Sequence, residues 1–253
     1  MGAFGGPDII TDGLVLVLDP AAKRCNASSG GTTLTNIALS GTSSTVVNGT
    51  TSESIVSLDG IDDYISVNSS VTNATLSPAQ ATFSIWFKPD NTYSSGNTCS
   101  LISRGNYNTS GGFFIHMSNS SGTCKVEAKF SNSASSSYSF QSTSAVAVNP
   151  FGEWSNITVT VNNVISLYVN GVVASTANRT VSDIIYGNGT INTSGDTNLI
   201  WVSSLSYAPT LDQGSGGTWR PFNGDFGLGM MYNKVLTGTE VLQNYNAQKN
   251  RFI

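Results

Sequence analysis

The sequence GEWSNITVTVNNVISLYVNGVV, which runs from Gly152 to Val173, decides the fold class. Apolar and polar residues alternate on both sides of Asn162-Asn163, as they do in half-buried β-strands joined by a tight turn. A second reversal follows at Asn170-Gly171, a dipeptide that suits a type I′ turn because both central residues of that turn need a positive φ. The stretch therefore predicts a three-stranded β-meander.

Length and composition are consistent with a single all-β domain. The chain has 253 residues, a length that one β-sandwich commonly reaches. Charged residues make up 10% of the chain and the net charge is -4, so no basic surface for nucleic acid is expected. The N-terminal residues show neither the basic segment of a signal peptide nor an apolar run long enough to cross a membrane. We therefore expect a protein without a leader or a membrane insertion.

Short apolar runs recur along the whole chain, separated by clusters of Gly, Asn and Ser. They predict about fourteen strands in two packed antiparallel sheets. The predicted strands cover residues 14–18, 45–47, 54–58, 63–67, 81–88, 99–104, 112–118, 123–130, 137–148 in two pieces, 154–161, 164–169, 172–175, 198–203 and 222–232.

Near the C-terminus the spacing of apolar residues changes from that of a strand to that of a helix. Thr237 and Glu240 have the spacing of a capping box, and Val241, Leu242 and Tyr245 then form an apolar stripe. These residues predict a short helix over 238–248.

The strand TFSIWFKP, from Thr82 to Pro89, has two faces with different composition. Phe83, Ile85 and Phe87 share one face, while the other face carries Ser84, Trp86 and Lys88. Alternation does not decide which face is buried, but the aliphatic and aromatic trio is the better candidate for the core.

Three sequence motifs, in this order along the chain, resemble those of a known family. They are LDGIDDY from Leu58 to Tyr64, the meander from Trp154 to Gly171, and a closing segment from Phe222 to Leu236 that is followed by the small helix. In this order they resemble the laminin G-like, concanavalin A-like lectin/glucanase family. The resemblance implies an antiparallel two-sheet jelly-roll sandwich over residues 14–253, preceded by an N-terminal arm over residues 1–13.

The two ends of the chain resemble one particular group within this family. IITDGLVLVLDPA, from Ile9 to Ala21, and VLQNYNAQKNRF, from Val241 to Phe252, are most similar to versions of this domain in virion proteins of tailed bacteriophages. This similarity implies a structural protein of the virion, as a capsid decoration, fibre or tail-surface protein that is assembled in the host cytoplasm. Its partners would be other virion proteins and copies of itself, with host glycans as adhesion targets. The alternative is a carbohydrate-binding, lectin-like module of a bacterial or cell-surface protein.

Catalytic residues are not evident in the sequence. Hydrolases on this scaffold need paired carboxylates, and the Glu-x-Asp-x-x-Glu pattern of family 16 glycoside hydrolases is absent. The four glutamates stand apart from one another, and His116 lacks the sequence context of a nucleophile. We expect a noncatalytic protein in which His116 has a structural role.

Asp59, Asp62 and Asp63 are the only candidates for a metal site. Three carboxylates within five residues could supply part of the oxygen shell of Ca²⁺. Alternatively, Asp59-Gly60 forms a turn in which the aspartates accept backbone N–H groups. We favour the turn because no second acidic cluster completes a shell, and we expect no cofactor.

The loop WVSSLSYAPTLDQGSGGTWRPF offers the candidate surface for glycans. Sugars stack on exposed aromatic rings and pair with nearby polar groups. The candidates in this loop are Trp201, Tyr207, Asp212, Trp219 and Arg220. Alternatively, Trp201 belongs to a buried strand, Trp219 closes one end of the sandwich, and the loop and the N-terminal arm contact neighbouring subunits.

The chain has three cysteines, so at least one thiol lacks an intramolecular partner. Cys99 and Cys124 begin the first and third strands of a predicted meander, where the strand spacing places them beyond disulfide reach. A bent loop could still bring them together, so the pairing stays open.

Overall fold

The structure is a computed structural model. It describes residues 8–26, 29–38, 43–67, 79–93, 95–106, 111–131, 140–179, 199–203, 218–219 and 222–253.

Eighteen strands and one helix make up the described elements. The strands are β1 (Leu14–Leu18), β2 (Thr33–Thr35), β3 (Ser43–Val47), β4 (Thr50–Thr51), β5 (Val56–Asp59), β6 (Tyr64–Val67), β7 (Ala81–Pro89), β8 (Asn97–Asn106), β9 (Gly111–Ser120), β10 (Thr123–Ser131), β11 (Phe140–Ser142), β12 (Val146–Ala147), β13 (Ser155–Val161), β14 (Val164–Val169), β15 (Val172–Asn178), β16 (Leu199–Ser203), β17 (Thr218–Trp219) and β18 (Asn223–Tyr232). The helix α1 covers Gly238–Gln248 and continues into a 3₁₀ turn, Lys249–Arg251.

The strands form two sheets. The first sheet has the order β15-β14-β13-β7-β18-β5-β4, and β1 pairs with the far end of β18. The second sheet has the order β11-β10-β9-β8-β16-β6-β3-β2, with β12 beside β10 and β17 beside β8. All described pairings are antiparallel except β17 with β8. The predicted two-sheet jelly-roll sandwich is confirmed.

The core lies between the inner faces of the two sheets. Phe83, Ile85 and Phe87 belong to it, as the composition of their strand indicates. The ring of Phe83 lies 4.7 Å, centroid to centroid, from Phe113 of the second sheet. The aliphatic and aromatic trio is therefore the set that joins the two layers.

A second apolar cluster covers the outer face of the first sheet. Trp86 is fully buried there, because its ring stacks on Phe252 at 4.4 Å and on Tyr245 at 5.6 Å. Its Nε1–H donates to Gln248 Oε1 at 2.7 Å. The other buried members are Val17, Leu228, Met230, Tyr232, Leu236 and Val241. Both faces of β7 are consequently buried, a result that alternation alone did not predict.

The helix α1 begins and ends where its sequence predicts. Thr237 Oγ1 accepts from the Glu240 N–H at 3.2 Å, and the Thr237 N–H donates to Glu240 Oε2 at 2.7 Å, which completes the capping box. The predicted apolar stripe is partly wrong, since Leu242 is 43% exposed while Val241 is buried.

The segment that precedes β1 lies on this helix. The Ile10 N–H donates to Asn244 Oδ1 at 2.8 Å, and Ile10 O accepts from the Tyr232 hydroxyl at 3.0 Å. Gln243 Nε2 donates to the Asp8 carbonyl at 2.7 Å. The described part of the predicted N-terminal arm therefore contacts the domain itself. None of the described helices is long and apolar enough to cross a membrane.

All three cysteines are buried free thiols. Burial raises the pKa of Cys25 to about 11 and the pKa of Cys99 and Cys124 to about 12 each. A thiol is reactive only as the thiolate, so these three side chains act as small apolar core residues at neutral pH.

Candidate functional site

An open cleft of about 380 Å³ lies on the first sheet, where the ends of β5, β7 and β18 meet the turn before β13. We call it the β5–β7–β18 cleft. Its lining consists of Ser57, Leu58, Lys88, Pro89, Asp90, Asn91, Gly152, Asn223, Gly224 and Asp225.

Strand alternation places three polar side chains side by side in this cleft. Asp225 pairs with Ser57 on one side and with Lys88 on the other. Their strand neighbours, Leu58, Phe87 and Phe226, belong to the core. Because successive side chains point to opposite faces of a sheet, Ser57, Lys88 and Asp225 lie on the outer face.

These three side chains form a closed polar group. Asp225 Oδ2 lies 2.7 Å from Lys88 Nζ, and Asp225 Oδ1 accepts from the Ser57 hydroxyl at 2.8 Å. Lys88 is 34% exposed and Asp225 only 16% exposed. The Lys88 side chain therefore stays partly exposed while its ammonium is paired with Asp225, and both oxygens of Asp225 already have partners.

Two glycines give the cleft its shape. A Cβ at Gly224, whose φ is +146°, would collide with the Lys88 carbonyl and lie 2.9 Å from Pro89 Cα. A Cβ at Gly152, whose φ is +81°, would collide with the side chain of Asn91. Gly224 needs glycine because neighbouring backbone atoms obstruct a Cβ, and Gly152 favours glycine because of its positive φ.

The turn after β7 supplies the remaining polar groups. Asp90 Oδ1 accepts from the Thr92 N–H at 2.7 Å, and the Asp90 N–H donates to the Asn223 carbonyl at 2.9 Å. The hydrogen bonds from Thr92 lower the pKa of Asp90, so this carboxylate is ionised at neutral pH. Asn223 Nδ2 lies 3.4 Å from Thr92 Oγ1, at the open side of the cleft.

An aromatic side chain stands next to the polar group. The Lys88 ammonium lies 5.4 Å from the ring centroid of Trp154, which is half-buried. The Trp154 ring also packs against Phe252 at 4.8 Å. The cleft thus combines hydrogen-bonding groups with a fixed aromatic neighbour.

The three aspartates of LDGIDDY form a turn at the rim of the cleft. Asp59 pairs with Asn223 across the strands, and single oxygens of Asp59, Asp62 and Asp63 lie within 4.8 Å of one another. Asp63 Oδ2 accepts from the Asp59 N–H at 2.7 Å, and Asp59 Oδ1 accepts from the Ile61 N–H at 2.8 Å. Burial raises the pKa of Asp63. The backbone hydrogen bonds are those of the predicted turn, and they already engage one oxygen each of Asp59 and Asp63.

The glycan candidates from the sequence fall elsewhere. Trp201 lies in β16, where its register partners are Ile65 and Ile102, and Trp219 lies in β17 opposite Thr98. The remaining candidates, Tyr207, Asp212 and Arg220, lie outside the described residues. This candidate surface stays a prediction.

His116 has a carboxylate partner that the sequence did not reveal. Its Nε2 lies 3.4 Å from Glu127 Oε2, and Lys129 Nζ lies 3.5 Å from Glu127 Oε1. Glu127, which stands apart from the other glutamates in the sequence, lies directly opposite His116 in the sheet. Burial lowers the pKa of His116, so the imidazole is neutral at neutral pH.

Comparison with known proteins agrees with this architecture. The profile of the concanavalin A-like lectin/glucanases superfamily matches residues 59–242, and the chain belongs to this superfamily. No curated protein sequence matches the chain.

Solved structures share the fold at low sequence identity. The ligand-binding domain of botulinum neurotoxin serotype D, in complex with N-acetylneuraminic acid, superposes with a TM-score of 0.63 and 16% identity over 94% of this chain and 52% of that domain. Trypanosoma rangeli sialidase, in complex with 2,3-difluorosialic acid, gives a TM-score of 0.60 and 13% identity over 96% of this chain and 34% of that enzyme. The chain thus spans about half of the first structure and a third of the second.

Proposed function

We propose that this protein is a noncatalytic glycan-binding module and that the β5–β7–β18 cleft is its binding site. The observation that carries the proposal is the convergence of Lys88, Asp90, Asn91 and Asn223 on one open cleft beside Trp154.

The size and the chemistry of the cleft support a sugar as the ligand. A volume of about 380 Å³ falls within the usual range of small-molecule sites, at about 300 to 1,000 Å³. Most such sites are largely apolar, whereas this one presents amide, carboxylate and ammonium groups. Groups of this kind donate to and accept from hydroxyls, which cover the rim of a pyranose ring.

The state of the two carboxylates in the cleft supports binding without catalysis. A glycosidase needs one carboxylic acid with a raised pKa to protonate the leaving oxygen. Asp90 has a lowered pKa, and Asp225 is held by Lys88 and Ser57. The lowered pKa of Asp90 keeps this side chain from donating a proton at neutral pH, and both oxygens of Asp225 are taken by Lys88 and Ser57.

A glycan array followed by calorimetry tests the proposal. We expect the purified domain to bind at least one glycan, and we expect Asn91→Ala with Asn223→Ala to weaken that binding more than tenfold. Thr176→Ala is the matched control, because it removes an exposed polar side chain from β15 at the opposite edge of the first sheet. Absence of binding, or equal affinity in the double variant and the control, contradicts the proposal.

For the biological setting we propose a bacteriophage virion, in which the protein decorates the capsid, a fibre or the tail surface and is assembled in the host cytoplasm. The support is the similarity of the segments Ile9 to Ala21 and Val241 to Phe252 to phage virion proteins. Ile10 and Asn244, one from each segment, are hydrogen-bonded to each other. Virion proteins and further copies of this chain would be its partners, and the cleft would attach the particle to host glycans.

Quantitative mass spectrometry of purified particles tests this setting. A virion component is present in a fixed number of copies per particle and stays bound through density-gradient purification. If the chain is instead found on a cell surface or in the medium, it is a lectin-like module of a bacterial or cell-surface protein, and the virion setting is wrong.

A further inference from the structure

The charged side chains in and beside the cleft determine which glycans can bind there. Among the described residues, the lining contains one cation, Lys88, and two carboxylates, Asp90 and Asp225. Asp59, the register partner of the lining residue Asn223, adds a further carboxylate next to the cleft, and single oxygens of Asp62 and Asp63 lie within 4.8 Å of one of its own. Carboxylates therefore outnumber cations in and beside the described lining.

The single cation of the lining is already engaged. Lys88 Nζ lies 2.7 Å from Asp225 Oδ2, so the charges of these two side chains largely cancel. An acidic sugar would have to compete with Asp225 for the ammonium. It would also meet the ionised carboxylate of Asp90, which belongs to the same lining.

From this arrangement we infer that the cleft binds neutral glycans and rejects glycans that end in sialic acid or another acidic sugar. The inference rests on the proposed function of the cleft and adds the class of its ligand. It sets this chain apart from its structural neighbours, two of which were solved with N-acetylneuraminic acid or 2,3-difluorosialic acid bound.

The expected discrimination is modest and depends on salt. In water, a carboxylate about 8 Å from a second one lowers a binding constant about twofold at an ionic strength of about 10 mM. With each of Asp59, Asp62 and Asp90 taken at about 8 Å from the carboxylate of a bound acidic sugar, the three together would weaken its binding about eightfold. At about 0.15 M salt the Debye length falls to about 8 Å, and the same three charges account for only about threefold.

Paired glycans provide the direct test. The array carries lactose and N-acetyllactosamine together with glucose- and N-acetylglucosamine-terminated oligosaccharides, and each galactose-terminated glycan is also printed with a terminal N-acetylneuraminic acid. We expect each neutral glycan that binds to bind more tightly than its sialylated form, with a larger ratio at about 10 mM than at about 0.15 M salt. Discrimination that does not change with salt would assign the rejection to shape and overturn the electrostatic inference.

A charge reversal at the rim separates the inference from folding effects. Asp62 is exposed, so Asp62→Lys changes the local charge by two units without removing a buried contact. We expect it to raise the affinity for the sialylated glycans about fourfold at low salt and to leave the neutral ones unchanged. Asp8→Lys, at an exposed position on the helix side of the domain, makes the same change in net charge and should alter neither.

The results for the wild-type protein distinguish a failure of the inferred preference for neutral glycans from a failure of the proposed glycan binding. If the wild-type protein binds sialylated glycans as tightly as the neutral ones or more tightly, the inference is wrong while the proposed function stands. If it binds neither class, the proposed function fails and the inference fails with it.

Discussion

Replacing Gly224 by alanine should destabilise the fold and close the cleft at the same time. Gly224 pairs with Leu58 and Pro89, so it lies between two neighbouring strands of the first sheet. Its φ of +146° belongs to a region that is used almost only by glycine, and a Cβ there would collide with the Lys88 carbonyl. Because that obstacle is backbone, a change of rotamer cannot relieve the collision.

The magnitude follows from two contributions. Holding alanine in such a conformation costs about 1–3 kcal/mol. Moving the Lys88 carbonyl away would also weaken at least one backbone hydrogen bond nearby, at about 1 kcal/mol. We therefore expect Gly224→Ala to lower the free energy of unfolding by about 2–4 kcal/mol, which corresponds to a fall in Tm of about 5–15 °C for a domain of this size.

Urea denaturation followed by tryptophan fluorescence measures the change, with Gly122→Ala as the matched control. Gly122 has a φ of +86° but nothing within 4 Å of an added Cβ, so only the conformational cost of about 1–2 kcal/mol applies. If both variants lose the same stability, the close approach of β18 to β7 does not determine the need for glycine, and the reasoning is refuted.

Three further predictions concern a buried hydrogen bond, a helix cap and a buried histidine elsewhere in the fold. Trp86→Phe leaves Gln248 Oε1 without its donor and should lower the free energy of unfolding by about 1–3 kcal/mol in urea melts; an unchanged midpoint would show that the hydrogen bond contributes nothing. Thr237→Ala removes the N-cap of α1 and should cost about 1 kcal/mol, with a parallel loss of helical circular dichroism on heating; Thr237→Ser, which keeps the hydroxyl, should cost much less. The pKa of His116 is lower in the folded protein than in the unfolded chain, where it is about 6.5. Below about pH 6.5 the unfolded chain therefore binds a proton that the folded protein does not. The stability that is present above this pH is lost as the pH falls through the folded pKa. His116→Gln should therefore lose less stability than the wild type between about pH 7 and pH 5 in urea melts at several pH values, and parallel curves would contradict this cause.

Much of the architecture follows from local sequence signals. The period-two pattern predicts the long strands to within a few residues, because most of them have a face in the core. The turn at Asn170-Gly171 has the positive φ values, 50° and 81°, that its dipeptide indicates. The capping box locates α1 in the same way, since the hydrogen bonds of a cap join residues that are close in the chain.

The missed elements lack such local signals. The strands Thr33–Thr35, Thr50–Thr51 and Thr218–Trp219 are two or three residues long, too short to show a period. Burial of Trp86 depends on Phe252, which is far away in the sequence but adjacent in space. The alternation of apolar and polar residues along one strand does not show that a helix packs on the outer face of the sheet.

The cleft was missed for the same reason. Lys88, Gly152 and Asp225 come from three separate segments, and only the order of strands in the first sheet brings them together. The glycines of the LDG and FNG motifs could have indicated the site. Both motifs are typical of the family, and in each of them the glycine stands beside an Asx residue at the end of a strand. The aromatic residues of the sequence point instead to the loop from Trp201 to Phe222.

The most direct test of the account is a glycan titration of the ¹⁵N-labelled domain followed by amide chemical-shift mapping. The account predicts that the largest shifts occur at the backbone amides of Asn91, Gly152 and Gly224, with smaller ones at Asp62. Shifts confined to the segment from Trp201 to Phe222, with none in the cleft, would contradict the assignment of the binding site.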